Sequence, residues 1–295
     1  MDKYRRFSSL RRLVFFFFLS CVLTELSAHD EVLVYKETDT GPLELLITKA
    51  IPSDQPVPAV IWFHGGGGNQ KPGQFKEFAK ALALIGVTSF DAAYATEADR
   101  AAEEKDVSKA IKNAKSAFRY VKAHAEKWGI DPERIMAGGG SFGGWLAACL
   151  GTVPSYNDDT DDLSISTLPR LNILFNPIVA RSFFELPEAA PIDFVSETTP
   201  STIIFNGTFD FIAPISECYQ YQSKLKKLGV TCEVLHYPDM RHGFFNYAGG
   251  RNPYFYKTLG DLMLFLKSSE VLNPPKPPSP PKPAPVKTSE EPAGQ

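Results

Sequence analysis

Cysteine is scarce in this 295-residue chain, with four residues at positions 21, 149, 218 and 232. Three of them lie beyond residue 28, an odd number, so at least one thiol there has no partner. Cys218 falls early in the helix-patterned stretch Ile215–Lys227, and Cys232 opens the next apolar run. A return from helix to strand would set them roughly 13 Å apart, at about 1.5 Å of rise per helical residue. A disulfide needs Cα atoms within about 7 Å, so none is expected. Charge of one sign is also lacking. The formal net charge is −3, which argues against nucleic acid as a partner. No apolar run is long enough to span a bilayer: the longest, Leu13–Leu23, covers eleven residues where about 20 are needed. Internal repeats are absent. The acidic run Asn157-Asp158-Asp159-Thr160-Asp161-Asp162 lacks the spacing and the glycine of a calcium loop and reads as a solvated loop. No metal or cofactor is implied.

What is present divides the chain into three segments. Lys3, Arg5, Arg6, Arg11 and Arg12 precede the short apolar run, and Leu26-Ser27-Ala28 follows it. Residues 1–28 read as a cleaved export signal, leaving no membrane span and an exported, periplasmic or extracellular protein. A buried N-terminal helix is the plainer alternative. Removing 1–28 leaves 26 basic and 32 acidic residues, a net charge of −6. At the other end, residues 273–295 hold nine prolines and no aromatic residue, a composition that cannot bury a core. Residues 29–272 remain as one folded domain.

Within that domain, apolar runs alternate with amphipathic stretches. Val32–Lys36 and Leu43–Lys49 flank the turn-like Thr38-Asp39-Thr40-Gly41, which predicts an antiparallel hairpin. Ala59–Phe63, Val87–Ala93, Leu171–Phe175, Thr202–Phe205 and Cys232–Tyr237 read as strands. Phe75–Leu84, Asp106–Trp128, Ile215–Lys227 and Tyr254–Lys267 carry apolar residues at helical spacing. Alternation of this kind predicts an α/β fold with a doubly wound, mostly parallel sheet. Residues 179–200, with Phe183, Phe184 and Phe194, are expected to form a minimal cap insertion.

Four motifs carry chemistry. Gly139-Gly140-Ser141-Phe142-Gly143 is a G-x-S-x-G between an apolar run and a helix-like one, the pattern of a strand–turn–helix elbow that exposes a nucleophile. A serine needs a base, and the base an orienting carboxylate. His242 lies on a loop after the last strand, and Asp210 on the loop after the strand before it, which gives the chain order serine, acid, histidine. Asp239 is the alternative acid, and a helix-capping role is the alternative for Asp210. His64-Gly65-Gly66-Gly67-Gly68 follows the strand Ala59–Phe63. A glycine run lets main-chain N–H groups approach a developing oxyanion, and Gly66 and Gly67, with Phe142, are assigned to that role. His64 is expected to fix the loop. A phosphate loop is disfavoured, since its lysine–hydroxyl pair is missing.

The chain resembles the esterase/lipase branch of the α/β-hydrolases, and within it the secreted, bacterial acetyl-esterase-like proteins. The resemblance runs from about Glu31 to Leu272. It is carried by Trp62-Phe63-His64-Gly65-Gly66-Gly67, Gly129-Ile130-Asp131-Pro132-Glu133-Arg134-Ile135, Gly138-Gly139-Gly140-Ser141, Phe175-Asn176-Pro177 and His242-Gly243-Phe244-Phe245-Asn246. It implies a serine carboxylesterase for short acyl groups, on a small-molecule or polysaccharide ester. Phe142 stands where relatives carry alanine, and Tyr94-Ala95 where they often carry Tyr-Arg. A prolyl-oligopeptidase-like peptidase or amidase, and a non-catalytic binding protein on the same fold, are the competing readings.

Overall fold

A computed structural model describes residues 31–66, 72–102, 106–180, 186 and 188–272. Residues 1–28, expected as an export signal, the proline-rich residues 273–295, Gly67, Phe183 and Phe184 lie outside the described residues. Eight strands form one sheet in the order β1-β2-β4-β3-β5-β6-β7-β8. They are β1 (Glu31–Thr38), β2 (Gly41–Thr48), β3 (Val57–Phe63), β4 (Thr88–Ala92), β5 (Ile130–Gly140), β6 (Leu171–Phe175), β7 (Ser201–Gly207) and β8 (Cys232–Tyr237). The hairpin β1–β2 is antiparallel, and so is the pair β2–β4. Every pairing from β4 through β8 is parallel. The helices are α1 (Lys76–Ala83), α2 (Glu97–Ala101), α3 (Val107–Ala123), α4 (Phe142–Leu150), α5 (Ile215–Lys227) and α6 (Pro253–Ser268).

Both faces of the central strands β3, β6 and β7 are covered, so these strands are buried on both sides. In β3 the side chains alternate between two cores with the period of two that a strand imposes. Ala59, Ile61 and Phe63 join the core beneath α3, α4 and α5. Val60 and Trp62 join the one beneath α1 and α6. Phe63 of β3 pairs with Gly139 of β5, Gly140 with Phe175 of β6, Phe175 with Phe205 of β7, and Gly207 with Tyr237 of β8. This register brings the carboxyl ends of five strands to one edge, where ligands bind in open α/β sheets.

Two expectations are revised. The stretch 106–128 is not one helix. α3 ends at Ala123, and Ala125–Trp128 forms a separate 3-10 turn closed by Gly129 at φ +60°. That left-handed residue turns the chain so that Gly129 O accepts the Val57 N–H at 2.9 Å. The acidic run is docked at two positions, while Asp159, Thr160 and Asp162 stay exposed. Asp158 pairs with Lys36 at 2.6 Å and Asp161 with Arg119 at 2.8 Å, the latter pair about nine-tenths buried. In the described part of the insertion expected as a minimal cap, Ala189, Ala190 and Pro191 are buried, and Trp145 Nε1 donates to Ala189 O at 2.9 Å. Cys149, Cys218 and Cys232 are buried free thiols, and burial pushes the Cys232 thiol up to about 12. No described helix is long and apolar enough to cross a membrane.

Candidate active site

The turn from β5 into α4 holds Ser141 at φ 55°, ψ −118°, a conformation a non-glycine residue adopts only under constraint. The constraints are close backbone contacts on either side. A Cβ on Gly143 would stand 2.0 Å from Phe63 O, and one on Gly139 would stand 2.4 Å from the Gly143 carbonyl. Strand, turn and helix approach one another as only glycine allows. The Ser141 N–H donates to Phe175 O at 2.9 Å, tying the turn to β6. The Phe142 ring is buried in the core against Tyr94 and Trp145.

Ser141, His242 and Asp210 meet in one line of hydrogen bonds. His242 Nε2 lies 2.9 Å from Ser141 Oγ, and Nδ1 lies 2.8 Å from Asp210 Oδ2. A carboxylate only accepts, so Nδ1 carries the proton and Nε2 accepts the serine O–H. The other oxygen, Asp210 Oδ1, accepts the N–H groups of Ile212 and Ala213, both at 2.9 Å. These bonds fix the side chain, which is fully buried, while His242 keeps 22% of its surface. Asp239 lies elsewhere, with φ 62° and its N–H on Thr208 Oγ1 at 2.8 Å. The loops after β7 and β8 are held against each other, since Phe209 N–H donates to Met240 O at 3.0 Å. Gly207 leaves the room: a Cβ there would stand 2.1 Å from that same oxygen.

The glycine loop enters from β3. His64 is fully buried. Its ring stacks on Tyr94 at 4.4 Å, and Tyr94 Oη donates to His64 O at 2.9 Å. Burial lowers the ring's pKa to about 4, so at neutral pH it is an uncharged strut of the loop. Gly66, at φ +84°, is exposed. Arg100, on α2, donates to Ala95 O at 2.7 Å, so a cation reaches the Tyr94-Ala95 segment from five residues downstream. Among the described residues, no group of His, Cys, Asp or Glu is placed to hold a metal ion.

Three polar residues of the site escape sequence reading. Asn176 Oδ1 accepts the Gly243 N–H at 3.0 Å. Gln74 Oε1 accepts the Gly65 N–H at 2.8 Å, and its Nε2 donates to Asn246 Oδ1 at 2.9 Å. Asn176 and Asn246 stand in family-like motifs with no role attached. Nothing in the local pattern marks Gln74, because one of its two partners, Asn246, is 172 positions away.

Comparison with known proteins accords with this geometry. The BD-FAE family model matches residues 46–167. The acetylxylan esterase of Xylanibacter ruminicola is 24% identical over 156 residues, 45% of this chain and 31% of that one. The acylamino-acid-releasing enzyme of Arabidopsis thaliana is 28% identical over 213 residues, 63% of this chain and 27% of that one. The chain thus spans less than a third of the length of either. A solved structure of Thermogutta terrifontis esterase 2 is similar over nearly its whole length, at TM-score 0.76 and 31% identity, covering 86% of this chain and 96% of that one. An elbow serine at the carboxyl edge of a parallel sheet, in a chain matched over most of its length by a solved esterase, makes this chain a member of the esterase family of the α/β-hydrolases.

Proposed function

We propose that this protein is a serine carboxylesterase for short acyl esters, with Ser141 as nucleophile, His242 as base and Asp210 as the orienting acid. The observation that carries the reading is the Ser141–His242–Asp210 line at 2.9 and 2.8 Å. His242 takes the serine proton as Ser141 Oγ attacks the ester carbonyl. Asp210 holds the ring and stabilises its charged form. The N–H groups of Gly66, Gly67 and Phe142 are proposed to meet the oxyanion of the tetrahedral intermediate. The imidazolium then returns its proton to the departing alkoxide, and water activated by His242 hydrolyses the acyl-enzyme. Preference for a short acyl group is supported by the similar Thermogutta esterase 2, whose structures include propionate-bound and butyrate-bound forms. Acetyl groups on a polysaccharide are supported by the acetylxylan esterase relative.

The test is hydrolysis of nitrophenyl acetate and acetylated xylan by the parent and by Ser141→Ala. The variant is expected to lose on the order of 10³-fold or more in kcat. Near-full activity in the variant would remove Ser141 from the mechanism, and a nitrophenyl ester series peaking at about eight carbons or more would remove the short-acyl preference. A second reading, cleavage of acylated aminoacyl amides, is favoured by the likeness to the acylamino-acid-releasing enzyme. Serine-dependent amidase activity without esterase activity would establish it. Residues 1–28 are proposed as a cleaved export signal, which the N-terminal sequence of protein recovered outside the cytoplasm would check.

A further inference from the structure

Gln74 takes no part in the proton transfer, yet its amide bridges the two loops that flank Ser141. One end accepts the N–H of Gly65, the neighbour of Gly66. The other end donates to Asn246, whose Nδ2 donates in turn to Gly243 O at 2.9 Å. Gly243 is the neighbour of His242. The chain is directional. Gly65 offers a donor and Gly243 O an acceptor, so each amide between them has one orientation that pairs every group. Turning either amide over sets like groups against each other. Gln74 also lies against the elbow, since a Cβ on Gly140 would come within 3.3 Å of its Nε2 and 3.4 Å of its Oε1.

The residues on both sides of Gln74 are held in place. Asp91 Oδ2, buried on β4, accepts the Gly73 N–H at 2.7 Å. The Phe75 ring stacks on Trp62 at 4.5 Å and on Phe245 at 5.9 Å. Gln74 is therefore flanked by a backbone hydrogen bond to β4 on one side and a ring packed on β3 on the other. Its amide is held as a rigid spacer between the oxyanion loop and the base loop.

We propose that Gln74 is a positioning residue, which through Asn246 sets the separation of the oxyanion donors, Ser141 and His242. The proposal rests on the serine-esterase reading above. Preorganised sites are sensitive to such spacing: a misplacement of about 1 Å can cost on the order of 10²-fold in rate. The effect belongs to the transition state, where charge develops, more than to the bound ester.

The experiment compares the parent with Gln74→Met, Asn246→Ala and the double variant on nitrophenyl acetate, with thermal melting of each. Gln74→Met keeps side-chain length and loses both hydrogen bonds. It is expected to lower kcat about 10- to 100-fold, with KM within about threefold and the melting temperature within a few degrees. The double variant should fall no further than the worse single variant, because both break one chain. Should Gln74→Met fold poorly, Gln74→Glu supplies the test, since it keeps the shape and the acceptor for Gly65 but, ionised, cannot donate to Asn246. A kcat within about twofold of the parent, a loss confined to KM, or losses that multiply in the double variant would overturn the proposal alone. A parent without serine-dependent hydrolysis would overturn this proposal together with the esterase reading.

Discussion

Asp91 is a buried carboxyl with no cation paired to it among the described residues. Its Oδ1 has no hydrogen-bond partner among the described residues, and burial raises its pKa to about 7. Between about pH 4, where the unfolded carboxyl titrates, and about pH 7, the folded state keeps a proton that the unfolded chain has released. Stability from this site is therefore greatest at low pH and is lost as pH rises to about 7. His64 runs the other way. Burial lowers its pKa to about 4, so between about pH 4 and 6.5 the unfolded chain binds the extra proton, and stability rises with pH. The two slopes oppose each other across most of one window, which masks both in the parent. Asp91→Asn keeps an acceptor for the Gly73 N–H and removes the titration. Its stability relative to the parent is expected to climb between pH 4 and 7, read from urea denaturation at several pH values. A difference that stays constant across that range would show that Asp91 does not take up a proton on folding.

The β5–α4 elbow depends on backbone approach more than on side-chain packing. At Gly143 the obstacle to any side chain is the Phe63 carbonyl oxygen, 2.0 Å from an added Cβ. Backbone in a central strand cannot yield as a flexible side chain can. Gly143→Ala is expected to cost at least the 1–3 kcal/mol typical of overpacking. At Gly129 an added Cβ meets nothing within 4 Å but must adopt φ +60°, so Gly129→Ala should cost about 1–2 kcal/mol. Urea midpoints in the reverse order would contradict this account of the elbow. The same contrast explains what was legible in the sequence. The elbow glycines, the apolar strands and the 3.6-residue spacing of the helices are local signals, and the strand–helix alternation carries the sheet topology with them. The chain order of Ser141, Asp210 and His242 follows from strand ends, which local pattern also marks. The break at His124 and the docking of Asp161 were not legible. The first lies in a run whose helical spacing continues past it. The second depends on Arg119, 42 positions away, and composition alone makes an acidic run look solvated.

At the scale of the whole molecule, the two cores share one sheet and draw on residues from Leu33 to Leu272. The last of these close the core beneath α1 and α6 from outside the final helix. Val271 is 4% exposed, Leu272 packs beside it, and Val271 O accepts from Arg134 Nη1 at 3.3 Å. Residues 29–272 are therefore proposed as the folding unit, ending four residues beyond α6. Two truncations separate this boundary from the end of the helix. A chain of residues 29–272 is expected to melt within about 2 °C of the full chain and to keep its kcat/KM. A chain of residues 29–268 loses one fully and one partly buried aliphatic side chain, about 2 kcal/mol of burial. That corresponds to a melting temperature lower by about 4–8 °C for a domain of this size. The Arg170–Glu270 pair adds little to the loss, since 47% and 69% of those side chains are exposed. Equal melting of the two truncated chains would mean that Val271 and Leu272 contribute nothing to the core they touch. A fall already present in the longer one would place stabilising contacts in residues 1–28 or 273–295.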